Sequence, residues 1–232
     1  MEFFKFPRTP HLFVLPGASI RDDKVMSESE ANAFLSQAVI VEEKVDGANV
    51  GISFDRKGDL QFQNRGNYIS PGGHPQFEPL WEWAYKRFEK LKKHLTERYI
   101  LFGEWCYLKH SIQYTQLPDW FLGFDIYDRH SKYFLSVEKR NHYLMNCEIE
   151  PVPLVFKGHT TTSTLIAIMN KPSMLYPGPL EGLYLRLETG GHLNQRAKLV
   201  RSEFIQSIEE HWSKGRLVKN KCISFLHGTE RM

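Results

Sequence analysis

The chain of 232 residues is 25% charged and 41% hydrophobic, with a formal net charge of +3. This composition can build an apolar core and excludes an intrinsically disordered chain, while the small charge excess identifies no partner by itself. No stretch approaches the roughly 18 consecutive apolar residues that cross a bilayer, and Glu2, Lys5 and Arg8 interrupt the apolar run that a signal peptide needs. We therefore expect an intracellular protein, cytoplasmic or nuclear, with no membrane partner.

The cysteines and the absence of linkers limit the architecture further. Cys106, Cys147 and Cys222 are odd in number and form no C-x-x-C pair, which excludes a disulfide framework and a structural zinc site. They are predicted to be reduced and buried. Because no repeat, low-complexity tract or Ser/Gly linker divides the chain, the sequence predicts one domain over residues 1–232, with 202–232 forming a C-terminal helix and tail.

Alternation of polar and apolar residues predicts strands in the first third of the chain. Such runs occupy residues 37–45 and 48–55, and a turn at 56–59 separates them from a further run at 60–66. The period of two and the intervening turn predict an antiparallel hairpin. A loop rich in Gly and Pro follows at 70–79.

Beyond this loop the hydrophobic period becomes helical. Apolar residues recur every three or four positions, with lysines and an arginine between them, at Trp81, Ala84, Tyr85, Phe88, Leu91 and Leu95. This spacing predicts one amphipathic helix of about four turns. Its basic face is typical of a solvent-exposed surface, and direct contact with nucleic acid is the less favoured alternative.

Strands then resume and alternate with shorter helices. Aromatic and β-branched content predicts extended segments at 99–108, 120–128, 134–137, 181–188 and 196–200. Helices are predicted at 138–147 and at 202–213, the second with Ser202 as its N-cap. The sequence therefore predicts an α+β fold dominated by antiparallel strands, with flanking helices.

A charged cluster around Lys44 carries the functional prediction. Glu43 and Asp46 flank this lysine at the end of a predicted strand, and Gly47 permits a tight turn. Five further segments follow in order, namely Asn64-Arg65-Gly66, Phe102-Gly103-Glu104-Trp105, Phe124-Asp125-Ile126-Tyr127, Glu181-Gly182-Leu183-Tyr184 and Arg196-Ala197-Lys198-Leu199. Together the six segments resemble motifs I, Ia, III, IIIa, IV and V of the covalent nucleotidyltransferase superfamily of polynucleotide ligases and capping enzymes.

Within that superfamily the chain is most similar to the RNA ligases of the ligase 2-like branch and their small cellular relatives. The resemblance runs from about Lys5 to about Arg201 and implies an antiparallel-sheet nucleotidyltransferase domain of the ATP-grasp-like ligase type. DNA ligases and capping enzymes continue into an OB-fold domain. Because residues 202–232 are too few for a five-stranded barrel, we expect no OB-fold domain in this sequence.

The resemblance assigns the phosphate chemistry to three basic residues. Lys44 is the implied nucleophile, which attacks the α-phosphate of ATP and holds AMP in a phosphoramidate bond. Because a free lysine is protonated at neutral pH, we expect nearby cations or a bound metal to lower its pKa. Arg196 and Lys198 are the expected cations, and since they are two residues apart, a strand presents both on one face toward the α-phosphate.

The resemblance assigns the acidic residues and one further arginine to the metal and the nucleotide. Asp46 and Glu181 are expected to bind Mg²⁺ or Mn²⁺, because hard cations prefer carboxylate oxygens. Glu104 is expected to bond the ribose hydroxyls, Arg65 to contact sugar and phosphates, and Glu43 to help read the adenine edge. The expected nucleotide-binding residues are therefore Glu43, Asp46, Gly47, Arg65, Glu104, Phe124, Glu181 and Tyr184.

Aromatic residues make up 13% of the chain, and two of them are assigned to the base. Phe124 is expected to stack on adenine with Tyr184 on the opposite side, and Phe121 is the alternative to Phe124 if the strand register differs. Just beyond the third motif, His110, Ser111 and Tyr114 either contact RNA or have only structural roles. His74 and Gly72-Gly73 are open to the same two interpretations.

Three hypotheses remain open at this stage. The first is an ATP-dependent RNA ligase that adenylates Lys44, transfers AMP to a 5′-phosphate end and seals it to a 3′-hydroxyl, with a possible accessory subunit or domain for RNA. The second changes the substrate to nicked DNA or to a cap-type guanylyl transfer. The third is a non-catalytic RNA- or nucleotide-binding relative, which the presence of Lys44, Glu104, Glu181 and Lys198 disfavours.

Overall fold

The computed structural model describes residues 3–17, 24–207 and 217–223, which form two β-sheets with helices on their outer faces. The first sheet has the strand order β10-β9-β1-β8 and is antiparallel throughout. Its strands are β1 (Val39–Lys44), β8 (Leu154–Gly158), β9 (Gly182–Thr189) and β10 (His192–Val200). Helices α1 (Glu28–Leu35) and α5 (Thr162–Met169) pack on this sheet through the apolar residues that face them.

The second sheet has the strand order β3-β2-β4-β5-β6, and a short strand β7 pairs in parallel with β5. Its strands are β2 (Ala48–Phe54), β3 (Leu60–Gln63), β4 (Tyr99–Trp105), β5 (Phe121–Asp128), β6 (Tyr133–Phe134) and β7 (Glu150–Pro151). Three helices cover its outer face, α2 (Glu78–Tyr85), α3 (Phe88–Leu95) and α4 (Val137–Asn146). A short 3-10 helix (Pro75–Phe77) precedes α2.

The predicted α+β class with antiparallel sheets is confirmed, as is the hairpin, which corresponds to β2 and β3. The prediction of a single helix over residues 81–95 is wrong, because the helix is interrupted at residues 86–87 and forms two separate helices, α2 and α3. Arg87 leaves the helical conformation there, with φ −116° and ψ 7°. Its guanidinium donates to the Trp83 carbonyl at 3.1 Å and to Asp119 at 2.6 Å. The hydrophobic period continues through this break, so it does not reveal it.

The remaining elements differ from the predictions mainly at their ends. The predicted extended segment at 134–137 shortens to β6, because Ser136 is instead the N-cap of α4 and its side chain accepts from Lys139 N. Helix α6 (Ser202–Ser207) begins at Ser202, so this serine is a helical residue rather than the N-cap, and residues 208–213 of the predicted helix lie outside the described ranges. The three cysteines are free and buried, as predicted. Among the described residues, no helix has the length and apolar character to cross a membrane.

A buried ionic network joins the two sheets. Arg140 of α4 pairs with Glu42 of β1 at 2.6 Å, and both side chains are at most 1% exposed. Arg186 of β9 pairs with Asp125 of β5 at 2.5 Å, again with neither side chain exposed. Because both pairs cross from one sheet to the elements of the other, they set how the two sheets meet around the cleft described next.

Candidate active site

A cleft opens between the two sheets and brings charged positions of several strands together. Residues from β1, β2, β4, β5, β9 and β10 contribute to its walls, together with the N-terminal segment. The lining residues are Phe6, Arg8, Thr9, Glu43, Lys44, Val45, Asn49, Arg65, Glu104, Phe124, Val152, Tyr184 and Lys198. Lys44, Arg65, Glu104 and Lys198, which come from four separate sequence segments, therefore lie in one site.

Lys44 ends β1 and forms an ion pair at the base of this cleft. Its Nζ donates to Glu181 Oε1 at 2.5 Å, and the Glu181 side chain is 6% exposed. Burial alone would lower the pKa of Lys44, but the charges of Glu181, Glu104 and Asp46 outweigh it, so the pKa is raised. The expectation that neighbouring cations lower this pKa is therefore wrong for the chain's own side chains, because carboxylates surround the ammonium.

Two carboxylates that surround Lys44, those of Glu104 and Glu181, have pKa values above the ordinary value of a glutamate. Burial raises the pKa of Glu104 to about 7 and that of Glu181 to about 7, although the Lys44 charge opposes both shifts. Glu181 Oε2 is buried and has no hydrogen-bond partner among the described residues. Perturbed acids around a half-buried lysine in a cleft are typical of a functional site.

Glu181 therefore fits the predicted metal role, since an orphaned carboxylate oxygen is a suitable ligand for a hard cation. Asp46 is arranged differently, because its Oδ2 already accepts from Ser111 N at 2.6 Å and Ile112 N at 2.9 Å. No group of three or more His, Cys, Asp and Glu in the described ranges could hold a metal unaided. Such a site suits Mg²⁺, which often takes one or two carboxylates and completes its shell with water and substrate phosphates.

Asp46 and Gly47 shape the turn that follows the nucleophile. Asp46 N donates to Tyr114 Oη at 2.8 Å, so together with its carboxylate it ties the turn to the loop after β4. Gly47 is required for close approach, since a Cβ there would lie 2.8 Å from the Trp105 carbonyl. The φ of Gly47 is not in the left-handed region. Glycine is therefore needed here because there is no space for a side chain, and not because the turn requires a positive φ.

Glu43 precedes the nucleophile, and its carboxylate bonds to the loop before β9. Ser173 Oγ donates to Glu43 Oε1 at 2.5 Å, and burial raises the pKa of Glu43. Glu43 also lines the cleft. The structure thus places this residue at the wall of the site, with its side chain held by Ser173.

Phe124 lines the cleft because of a β-bulge in β5. Gly103 pairs with Gly123 and Phe102 pairs with Asp125, so Phe124 has no partner on β4. Phe121, the alternative, is fully buried and packs against Trp83 with ring centroids 5.2 Å apart. It is therefore a core residue, and only Phe124 is available to a ligand.

Tyr184 lies beside Phe124 but does not form a parallel second wall. The two ring centroids are 6.4 Å apart and the planes meet at 46°. Tyr184 Oη also donates to Asp125 Oδ2 at 3.1 Å. Because planes at this angle cannot both lie flat on one base, the predicted stacking of adenine between Phe124 and Tyr184 does not match this arrangement of the rings.

The two basic residues of β10, Arg196 and Lys198, lie in different environments. Lys198 lines the cleft, whereas Arg196 is absent from its lining. Arg196 Nη1 donates to Asp125 Oδ2 at 3.2 Å, and its guanidinium lies 4.0 Å from the centre of the Phe134 ring. The structure thus places Lys198 in the cleft lining and gives Arg196 a buried carboxylate partner, Asp125.

Six cleft residues were missed in the sequence, and one of them, Val45, lies in the first motif between Lys44 and Asp46. Asn49 lies opposite Glu104 on β2 and β4, and its Oδ1 is buried without a hydrogen-bond partner in the described part of the chain; strand alternation from Gly47 could have indicated it. The others, Phe6, Arg8, Thr9 and Val152, come from segments outside the six motifs. Leu12 N donates to the Lys198 carbonyl at 2.8 Å, and a contact so distant in sequence leaves no local pattern.

Comparisons with known proteins identify a family and a shared fold. The family model described as RNA ligase matches residues 37–200, which is most of the chain. A search among curated proteins finds no match.

Solved structures of an RNA ligase from Naegleria gruberi share the fold. An aspartate variant in its apo form has a TM-score of 0.60 at 16% identity and covers 90% of this chain and 64% of that chain. A lysine variant with ATP and Mn has a TM-score of 0.57 at 18% identity and covers 75% and 53%. The structure with pyrophosphate has a TM-score of 0.57 at 18% identity and covers 78% and 56%.

The chain thus spans between 53% and 64% of the length of these structures. At this level of sequence identity, the structural similarity shows only a shared fold. The match to the family model is independent evidence, and it is the one that identifies the family. The six colinear segments, the cleft that gathers them and the matched residues 37–200 lead to the same assignment: the chain belongs to the RNA ligase family.

Proposed function

We propose that the chain is an ATP-dependent RNA ligase that works through a lysyl-adenylate on Lys44. The observation that carries the proposal is the ion pair between Lys44 Nζ and Glu181 Oε1, 2.5 Å apart at the base of a cleft that Lys198 and Glu104 also line. A half-buried lysine paired with a buried, perturbed carboxylate is a natural nucleophile site. Family membership and the ATP-bound relative from Naegleria gruberi support this choice.

The first step is attack of the Lys44 amine on the α-phosphorus of ATP, with pyrophosphate as the leaving group. The ammonium must first lose its proton, and Glu181, whose pKa is raised to about 7, is the nearest acceptor. Lys198 stabilises the charge that develops on the phosphate oxygens, as usual for phosphoryl-type transfer. Mg²⁺ or Mn²⁺, held by Glu181 with help from Asp46, would supply further charge neutralisation when bound.

The cleft walls bind the nucleoside. Phe124 presents its ring to the adenine, Tyr184 contacts the base at an angle rather than by stacking, and Glu43 lies at the wall where the base edge is read. Glu104 accepts from the ribose hydroxyls and Arg65, beside it, contacts sugar and phosphates. In this proposal Arg196 acts indirectly, by holding Asp125 next to the bulge in β5, and Gly47 lets the turn after Lys44 pack against the Trp105 carbonyl.

The later steps extend the same geometry to polynucleotide ends. AMP passes from Lys44 to the 5′-phosphate of one RNA end, and a 3′-hydroxyl then attacks and releases AMP. We propose that residues 1–232 act as one catalytic domain, and that an accessory subunit or domain adds RNA affinity. A net charge of +3 gives limited counterion release on its own.

The test of the first step is intact mass. Purified protein incubated with ATP and Mg²⁺ should gain the mass of one adenylate, peptide mapping should place it on Lys44, and Lys44→Ala should gain nothing. Added pyrophosphate should reverse the gain. An equal gain in Lys44→Ala, or none in the wild type, would reject the mechanism, and label uptake from GTP or sealing of DNA nicks alone would favour the capping or DNA alternatives.

Phe124 gives a second test, directed at base recognition. Phe124→Ala should raise the KM for ATP in adenylation about tenfold or more, because base–aromatic stacking contributes roughly 1–3 kcal/mol. Phe88→Ala is the matched control, since Phe88 is also half-buried but lies on the outer face of the second sheet. A similar KM change in both variants would show that the effect comes from the fold rather than from contact with the base.

A further inference from the structure

One surface beside the turn that follows Lys44 is formed by two segments that carry lysines and no acidic residue. It consists of residues 105–118, which follow β4, and 217–223, which pair with them; we call this surface the lysine rim. Neither segment contains Asp or Glu, and together they contain Lys109, Lys219 and Lys221, all three exposed. In a chain whose total net charge is only +3, these two segments contribute three positive charges and no negative ones.

The two segments of the lysine rim are firmly joined. Asn220 is buried, its Oδ1 accepts from Tyr114 N at 2.8 Å, and its Nδ2 donates to the Cys106 carbonyl at 2.8 Å. Because side chains alternate along an extended segment, Lys219 and Lys221 share the outward face opposite buried Asn220. The Lys219 ammonium lies 5.0 Å from the centre of the Tyr107 ring.

The lysine rim also lies directly beside the turn of the nucleophile. Lys221 N donates to the Tyr114 carbonyl at 2.9 Å, and Tyr114 Oη accepts from Asp46 N at 2.8 Å. Ser111 N adds a second link, since it donates to Asp46 Oδ2 at 2.6 Å. A polyanion lying on this rim would therefore have its end close to Lys44.

We propose that the lysine rim is the surface on which the RNA strand with the 5′-phosphate docks, with Lys109, Lys219 and Lys221 contacting its backbone phosphates. This inference rests on the proposed function and adds the location of the polynucleotide. RNA fits better than an acidic polypeptide, because the surface leads to the residue that must meet a phosphate end, and because two segments with exposed lysines and no acids of their own suit a row of phosphates.

The test compares two triple variants. The rim variant carries Lys109→Ala, Lys219→Ala and Lys221→Ala. The control variant carries Lys57→Ala, Lys92→Ala and Lys93→Ala, which remove three equally exposed lysines beyond the outer face of the second sheet, where α3 packs. Both variants change the net charge by the same amount, so only position distinguishes them.

The measurement is binding of a 5′-phosphorylated single-stranded RNA oligonucleotide, followed by fluorescence anisotropy over a range of salt concentrations. Loss of three phosphate contacts should reduce the slope of log K against log salt by about 2, at roughly 0.7 per contact on single strands, and weaken binding at low salt about tenfold or more. The control should change affinity less than about threefold. Adenylation of the rim variant with ATP alone should match the wild type.

Equal weakening in the two variants would show a bulk charge effect and overturn the proposal, as would unchanged RNA binding in the rim variant. A polyglutamate peptide serves as the competing ligand: binding to it that exceeds binding to RNA, and that the rim variant loses, would assign the surface to an acidic protein instead. Because adenylation is measured in parallel, failure of RNA docking is distinguishable from failure of the proposed ligase chemistry.

Discussion

Arg140→Met is expected to lower the free energy of unfolding by about 3–5 kcal/mol, the range for breaking a buried ion pair by removing one partner. All five N–H donors of Arg140 are used: Glu42 accepts at 3.0 and 2.6 Å, Asn141 Oδ1 at 3.0 and 2.8 Å, and the Phe124 carbonyl at 2.6 Å. The substitution leaves the Glu42 carboxylate, which is 0% exposed, without its bidentate partner.

The double variant Glu42→Gln/Arg140→Met should recover a large part of that loss, because it removes the buried carboxylate that has lost its bidentate partner and keeps similar volume. Lys86→Met is the surface control: it breaks the exposed pair with Glu82 and should cost about 0.5 kcal/mol or less. Chemical denaturation of the three variants checks the order. If the double variant were as unstable as Arg140→Met, unsatisfied charge would not be the cause.

The Arg140 variants are also expected to change the affinity of the cleft for ATP. Arg140 and Arg186 both donate to the Phe124 carbonyl, at 2.6 and 3.2 Å, and Phe124 is the unpaired residue of the bulge in β5. Loss of Arg140 therefore loosens the residue that presents the ring to the base. In the double variant, which regains stability but not this bond, the affinity for ATP should stay below that of the wild type.

The sequence was sufficient to predict most of the charged cleft. Lys44, Glu104, Glu181 and Lys198 lie in or next to strands, where alternation determines the face each side chain takes, and the order of the motifs indicated that the strands share one site. The α+β class followed from the same alternation.

The bulge in β5 and its consequences could not be read from the sequence. A bulge shifts register by one residue, and the run Phe121 to Asp128 carries aromatic and apolar residues on both faces, so its pattern does not mark the shift. The ion pair between Arg196 and Asp125 depends on this register shift, because the shift determines which face of β5 the Asp125 side chain occupies. Glu42 and Arg140 are 98 residues apart, and no local pattern indicates that they pair.

Glu104→Gln is expected to gain stability relative to the wild type as the pH rises from 5 to 8. Burial raises the pKa of Glu104 to about 7, above its ordinary 4.5. A carboxyl with a raised pKa in the folded state contributes stability that is fully present below about pH 4.5 and is lost as the pH rises through 7. Removing it should therefore raise the free energy of unfolding at pH 8, relative to pH 5, by about 1–3 kcal/mol against the wild type.

The measured quantity is the difference between variant and wild type, because other groups titrate in the same window. Burial lowers the pKa of His110, so this residue contributes stability that is present above pH 6.5 and is lost as the pH falls, the opposite sign. Both proteins contain His110, and the difference removes its contribution. Glu89→Gln, an exposed carboxylate of α3, is the control for loss of one acid, and a Glu104→Gln difference that does not grow with pH would contradict the assignment.

The stabilisation of the protein by Mg²⁺ at different pH values tests whether the same carboxylates also bind a divalent cation. If the carboxylates around Lys44 also take part in binding a divalent cation, Mg²⁺ should stabilise the wild type more at pH 8, where they are ionised, than at pH 5, where protons occupy them. Glu181→Gln should lose most of this response, because it removes the carboxylate whose Oε2 is buried without a hydrogen-bond partner in the described residues. An equal response to Mg²⁺ at both pH values would place the cation elsewhere.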